Sequence, residues 1–195
     1  MDSKIEVKKE DLKKLFDTLT NYPQISKEQV EHEMKKTFGD DVFKPKDIKE
    51  RVKTFEDACR ELGDEHPFVK EWHLGENLSE DLEAYLKLRV IVAALNEGWK
   101  PEFTEDEWRY YPWFWLYTQD EINNMPCEEK ERRNLQIKQI GHYAGFAFAY
   151  SYNVPSNTYA PVGSRLCLKN SELATYCGKQ FIEFWMKFTT VQTEK

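Results

Sequence analysis

Residues 144–152 read AGFAFAYSY, and this stretch carries the strongest indication of architecture in the chain. Large aromatic and small residues alternate with a period of two, which is typical of a β-strand. The alternation predicts one aromatic face, made of Phe146, Phe148, Tyr150 and Tyr152. The opposite face would carry only Ala147, Ala149 and Ser151, so that another element can approach it closely.

Two helices are predicted to pack against this strand. Segment 172–188 has an unbroken apolar stripe at helical spacing, which includes Phe181 and Trp185 on its buried face. Segment 80–97 follows Ser79 as a helix cap and is apolar on more than one face from Val90 to Leu95. A helix of that kind is buried and central in its domain.

Further strands are expected at 111–117, where Pro112 requires the start or edge of a sheet, and at 162–168. Residues 128–134, EEKERRN, predict a solvated helix or loop. Helices precede strands and do not alternate with them, which predicts an α+β fold. Its helical amino half is followed by an antiparallel sheet of about three strands, packed against the 80–97 and 172–188 helices.

The amino-terminal half is predicted to be helical. Apolar residues have helical spacing over 8–20, and Ser26 with Gln29 forms a capping-box pattern for a second helix. A third helical stretch covers 48–62, with Thr54 as an alternative start. Because the run 44–46 (KPK) is typical of a boundary, we predict a small helical segment over 1–45 and a main α+β domain over 46–195.

Composition argues against several classes of protein. The 195 residues carry a formal net charge of −7, which opposes binding to nucleic acid or membrane over the whole surface. The chain lacks a transmembrane-length apolar run, and its charged start lacks the apolar centre of a signal peptide, so we expect a cytoplasmic protein without membrane contact. The four cysteines form no CxxC pair and predict free, mostly buried thiols.

Catalytic patterns are weak, so we expect no cofactor and no metal. The four histidines are scattered without ligand spacing, and Ser164 lacks the second glycine of a nucleophile elbow. Cys167 and Cys177 have no evident histidine partner in sequence, His142 being the nearest. The sequence therefore favours a non-enzymatic role, although an active site assembled in space leaves no linear trace.

Segment 99–117 contains nine aromatic residues among several acidic ones. So many large rings are difficult to bury in one small domain, and a surplus is typical of a partner surface. The candidate protein-binding residues are Trp108, Trp113, Trp115 and Tyr117, and we predict that at least one of the three tryptophans is exposed. The acidic surroundings favour a partner with a basic surface.

A second hypothesis is binding of single-stranded nucleic acid. Residues 145–148, GFAF, match part of the RNP1 pattern, in which aromatic side chains on a sheet stack bases. The candidates are Phe146 and Phe148 with the nearby cations Arg165 and Lys169. The leading basic residue of the pattern and its βαββαβ order are both missing. The alternative is that Phe146 and Phe148 are core residues under the last helix, and that Arg165 lies on a solvent-facing strand or pairs with a carboxylate.

Four blocks of the chain carry a resemblance: ERVKTFEDACRELG (50–63), VAALNEGWKPEF (92–103), YYPWF (110–114) and GSRLCLKNSELATYCGKQFIEFW (163–185). Together they resemble an uncharacterised protein family that phages, prophages and other mobile elements of gut anaerobic bacteria encode. The resemblance covers about 46–195 and implies a phage-derived protein in a bacterial cytoplasm or in a virion. It implies no catalytic residue.

We therefore expect a non-enzymatic protein that binds a partner of host or phage origin, as a host- or defence-directed or accessory protein. The alternatives are a nucleic-acid-binding accessory of phage DNA metabolism and a virion structural or assembly protein.

Overall fold

The computed structural model describes residues 8–21, 25–39, 43–45, 47–102, 104, 106–155 and 164–191. It separates the chain into two units, Met1–Asp47 and Ile48–Lys195, hereafter unit 1 and unit 2. The amino-terminal helices of unit 2 are followed by a three-stranded antiparallel sheet and then by the carboxyl-terminal helices. The fold is therefore α+β, as the order of predicted elements indicated.

Unit 1 contains two helices, α1 (Lys9–Thr20) and α2 (Lys27–Phe38). The predicted capping box is confirmed, because Gln29 N donates to Ser26 Oγ at 3.2 Å and Ser26 N donates to Gln29 Oε1 at 3.0 Å. The two helices pack through Leu12, Val30 and Met34.

Unit 2 begins with four helices: α3 (Ile48–Arg51), α4 (Phe55–Leu62), α5 (Pro67–Leu74) and α6 (Glu80–Leu95). The stretch predicted over 48–62 is interrupted, and Thr54 caps α4 with a reciprocal Asp57 box. The sequence analysis missed α5, which starts at a proline. Helix α6 buries seven of its residues, and its predicted central position is confirmed.

The sheet consists of β1 (Trp108–Tyr117), β2 (Gln136–Ile140) and β3 (Tyr143–Pro155), in the order β1-β3-β2. Helices α7 (Gln119–Asn124) and α8 (Cys127–Arg132) connect β1 to β2. Strand β1 pairs with β3 on one side only, so Pro112 lies on an edge strand as predicted. The edge position tolerates a residue without an N–H.

The strand predicted over 162–168 is wrong in its described part. Ser164–Leu166 forms a 3-10 helix, and Leu168 makes a single bridge with Tyr110; residues 162 and 163 lie outside the described range. The third strand is β2, which follows the charged segment predicted as a helix or loop. A tight hairpin with positive φ at Gly141 joins β2 to β3, so pairing with β3 stabilises a segment of weak intrinsic strand character.

The helix predicted over 172–188 is divided into α9 (Ser171–Gln180) and α10 (Ile182–Thr189). The interruption is at Phe181, whose φ of −114° and ψ of 30° are not helical. The predicted burial of Phe181 and Trp185 is confirmed, since both lie in the main core with residues of α6. After the break, Ile182 and Met186 pack on β3 instead.

Candidate interaction surface

A β-bulge in β3 determines which aromatic residues reach the surface. Trp113 pairs with Tyr150, and the next residue of β1, Phe114, pairs with Phe148. Ala149 is therefore an extra residue on β3, and side chains on either side of it no longer follow one alternation. A bulge of this kind also bends the strand and increases its twist.

The bulge separates the four aromatic residues of 144–152 between two faces. Phe146 and Phe148 lie beside Phe114, with ring centroids 4.7 and 6.2 Å from its ring, and are buried. Tyr150 and Tyr152 lie instead beside Trp113, at 6.5 and 5.6 Å. The prediction that all four share one face is wrong, because consecutive residues Trp113 and Phe114 point to opposite sides of β1.

The face away from α9 and α10 carries four exposed aromatic side chains. Their exposed fractions are 39% for Trp113, 49% for Trp115, 44% for Tyr150 and 41% for Tyr152. We call these four residues the aromatic face. The predicted exposure of at least one tryptophan is confirmed, and Trp108, at the start of β1, is also 48% exposed.

Acidic residues flank β1 at both ends. Exposed Asp106 and half-buried Glu107 precede Trp108, and the Glu107 carboxylate accepts from Glu102 N at 2.8 Å. At the other end, half-buried Tyr117 lines a cleft of about 430 Å³ together with three carboxylate residues, Asp120, Glu121 and Glu129. Glu105, the other acidic residue near Trp108, lies outside the described residues.

The candidate nucleic-acid residues do not form a common surface. Phe146 and Phe148 are only 3% and 5% exposed, so bases cannot stack on them. Arg165 is exposed in the 3-10 helix, where a strand was expected. Lys169 Nζ pairs with Glu97 Oε2 at 2.8 Å. The observed geometry therefore does not provide the basic aromatic platform that the nucleic-acid hypothesis requires of these four residues.

The two buried thiols are poorly suited to nucleophilic chemistry. All four cysteines are free, as predicted; two of them, Cys167 and Cys177, are buried, while Cys59 is half-buried and Cys127 exposed. Burial raises the pKa of Cys167 to about 11 and that of Cys177 to about 12. Because the thiolate is the nucleophile, both groups are inert at neutral pH.

A buried polar cluster joins β1 to the end of α6, and the sequence analysis did not find it. Arg109 is fully buried in β1, and its positive charge acts on both Tyr111 and Cys167. Burial raises the pKa of Tyr111 to about 12. Asn96 Nδ2 donates to Cys167 O at 2.9 Å, and Lys169 N donates to Asn96 Oδ1 at 3.0 Å. The sequence feature that could have indicated this cluster is the single arginine within the aromatic run 108–117.

Neither a metal site nor a comparison with known proteins assigns a role to this chain. Within the described part of the chain, no three or more His, Cys, Asp or Glu side chains are grouped to hold a metal ion. None of the described helices is long and apolar enough to cross a membrane. Comparison of the chain with protein families, curated proteins and solved structures produced no match.

Proposed function

We propose that this chain is a non-enzymatic protein that binds another protein through the aromatic face of its sheet. The observation that supports this proposal is the side-by-side exposure of Trp113, Trp115, Tyr150 and Tyr152 on adjacent strands. Isolated exposed apolar side chains are common, but a contiguous aromatic group on a rigid sheet is typical of interaction sites.

The chemistry of these side chains suits a protein partner. Tryptophan and tyrosine bury a large area with few rotatable bonds, and they are enriched among residues that dominate binding energy. Three of the rings already contact one another, since Trp113 lies beside both Tyr150 and Tyr152. Their mutual packing restricts the rings before binding, which lowers the entropy lost on association.

Charge favours a partner with a basic surface. The carboxylates of Asp106 and Glu107 precede β1, and those of Asp120 and Glu121 follow it, whereas Glu129 is paired with Arg133 at 2.8 Å. A negative rim attracts a basic partner and repels phosphates, so it favours protein over single-stranded nucleic acid. The resemblance to proteins of phages and mobile elements favours a partner of host or phage origin.

The test is affinity capture from the native host followed by binding measurements with the purified partner. The double variant Trp113→Ser/Trp115→Ser should weaken binding at least about 30-fold, because one central indole contributes about 2 kcal/mol. Leu74→Ser is the matched control, since Leu74 is 81% exposed on α5. Binding should also weaken as salt rises. Equal binding by the double variant and the control would contradict the proposal.

Two further measurements separate the alternatives. Titration with a fluorescent oligothymidine should give no saturable binding; a salt-dependent complex that the double variant loses would support a nucleic-acid function instead. Mass spectrometry of purified phage particles should not find the chain at stoichiometric amounts. Stoichiometric incorporation would support a virion role.

A further inference from the structure

Unit 1 has an apolar groove that is independent of the aromatic face. Only Leu12, Val30 and Met34 form the buried core among its described residues. A second set of apolar side chains stays exposed: Leu15 at 46%, Ile25 at 41% and Phe38 at 44%. The exposed set and the core residues Val30 and Met34 line a groove of about 670 Å³.

Residues of two short helices line most of the groove. Helices α1 and α2 each have 12 residues, which corresponds to a length of about 18 Å. Helices this short are only marginally stable without tertiary packing. A partner that covers the exposed apolar side chains would therefore also stabilise α1 and α2. A third helix that packs against two others commonly buries such exposed apolar side chains. Its own apolar side chains are then spaced i, i+3, i+4 and i+7.

The charged groups at the groove are acidic. Glu28 and Glu33 line it together with the imidazole of His32, and no lysine or arginine is among the described lining residues. The pKa of Glu28 is lowered by hydrogen bonds from its own backbone N–H and from Ser26, which keeps its carboxylate ionised. Lys36 lies 3.8 Å from Glu33, but both side chains are at least 65% exposed, and such a pair neutralises little.

We propose that the groove of unit 1 binds an amphipathic helix of a partner protein. Apolar side chains of that helix contact Leu15, Ile25 and Phe38, and basic residues of the same helix lie on either side of these apolar side chains. Charge complementarity selects this occupant over a second copy of the chain, because a second copy would bring the same two carboxylates to the groove.

The test uses the full-length chain and a fluorescein-labelled synthetic peptide of about 14 residues, with leucine at i, i+3, i+4 and i+7 and lysine on the flanks. Fluorescence anisotropy should show saturable binding, at least about tenfold tighter than that of a scrambled peptide of the same composition. Phe38→Ser should weaken binding at least about tenfold, whereas the exposed control Leu74→Ser should leave it unchanged. Equal affinity for the scrambled peptide, equal effects of the two variants, or absence of binding would each overturn the proposal.

Charge reversal tests the second half of the proposal. Glu28→Lys with Glu33→Lys should weaken binding of the basic peptide at least about tenfold. The matched control is Glu76→Lys with Glu131→Lys, which has the same net charge but alters two exposed residues of unit 2. Equal effects of the two double variants on peptide affinity would overturn the proposal that the occupant is basic. Sedimentation showing a dimer that Phe38→Ser dissociates would identify a second copy of the chain as the occupant and would also overturn it.

Discussion

When alanine replaces Gly178, two effects of known size on the free energy of unfolding oppose each other. Gly178 is buried in α9, and a Cβ there would lie 2.5 Å from Pro112 Cβ and 2.8 Å from Cδ2 of the Phe148 ring. Alanine favours a helix interior over glycine by about 1 kcal/mol. Overpacking a well-filled core costs about 1–3 kcal/mol.

The contact distances decide which effect is larger. One neighbour is the rigid ring of an edge-strand proline, and the other is a buried phenyl ring packed by Phe114, so neither can move away at small cost. The clash should therefore cost about 2–3 kcal/mol, and Gly178→Ala should lower the free energy of unfolding by about 1–2 kcal/mol net. For a chain of this size that is a fall in Tm of roughly 2–8 °C.

Urea unfolding followed by far-UV circular dichroism measures this difference, with an unchanged m-value confirming that the transition itself is unaltered. The control is Thr175→Ala on the same helix, which should raise stability by a few tenths of a kcal/mol, about the propensity difference. An equal or higher stability of Gly178→Ala would refute the inference that α9 approaches β1 and β3 too closely for a methyl group.

Three other predictions concern a buried polar side chain and the thiols. Asn96→Ala should cost about 2–4 kcal/mol in urea unfolding, because it leaves Cys167 O and Lys169 N without their Asn96 partner; a loss under about 0.5 kcal/mol would contradict this. Alkylation of the native protein without reductant should modify Cys127 quickly and spare Cys167 and Cys177, whereas a Cys167–Cys177 disulfide found by mass spectrometry would contradict the free thiols. Since burial raises the pKa of Cys177 from 9.0 to about 12, folding favours the protonated thiol, and the free energy of unfolding should fall as the pH rises above about 9; a constant value there would contradict this effect.

Local sequence was sufficient for features that depend on neighbouring residues. The Ser26 and Thr54 caps use side chains three residues away, so their patterns predicted the start of α2 and gave Thr54 as an alternative start within 48–62, which is where α4 begins. The all-round apolar character of 90–95 likewise predicted that α6 is central. The order of these elements indicated an α+β fold without knowledge of any long-range contact.

The candidate surface was predictable only in part. Nine aromatic residues in segment 99–117 exceed what a small domain can bury, and from that excess we predicted that at least one of Trp108, Trp113 and Trp115 is exposed; all three are. Tyr150 and Tyr152 were assigned to the same face as Phe146 and Phe148, because alternation alone assumes a regular strand. Nothing in AGFAFAYSY indicates that Ala149 bulges.

The sequence by itself therefore determined the two helices of unit 1, the central helix α6, the existence of β3 and the excess of aromatic residues over the core, but it did not indicate α5 or the breaks before α4 and α10. Tertiary structure decided the position of the bulge, because it depends on the register between β3 and β1. It also decided that Gln136–Ile140 forms the third strand, since five residues with weak alternation gain their stability from hydrogen bonds to a neighbouring strand. Helix spacing and caps are local properties, whereas strand register and burial depend on segments far apart in the chain, and these determine which aromatic rings a partner can reach.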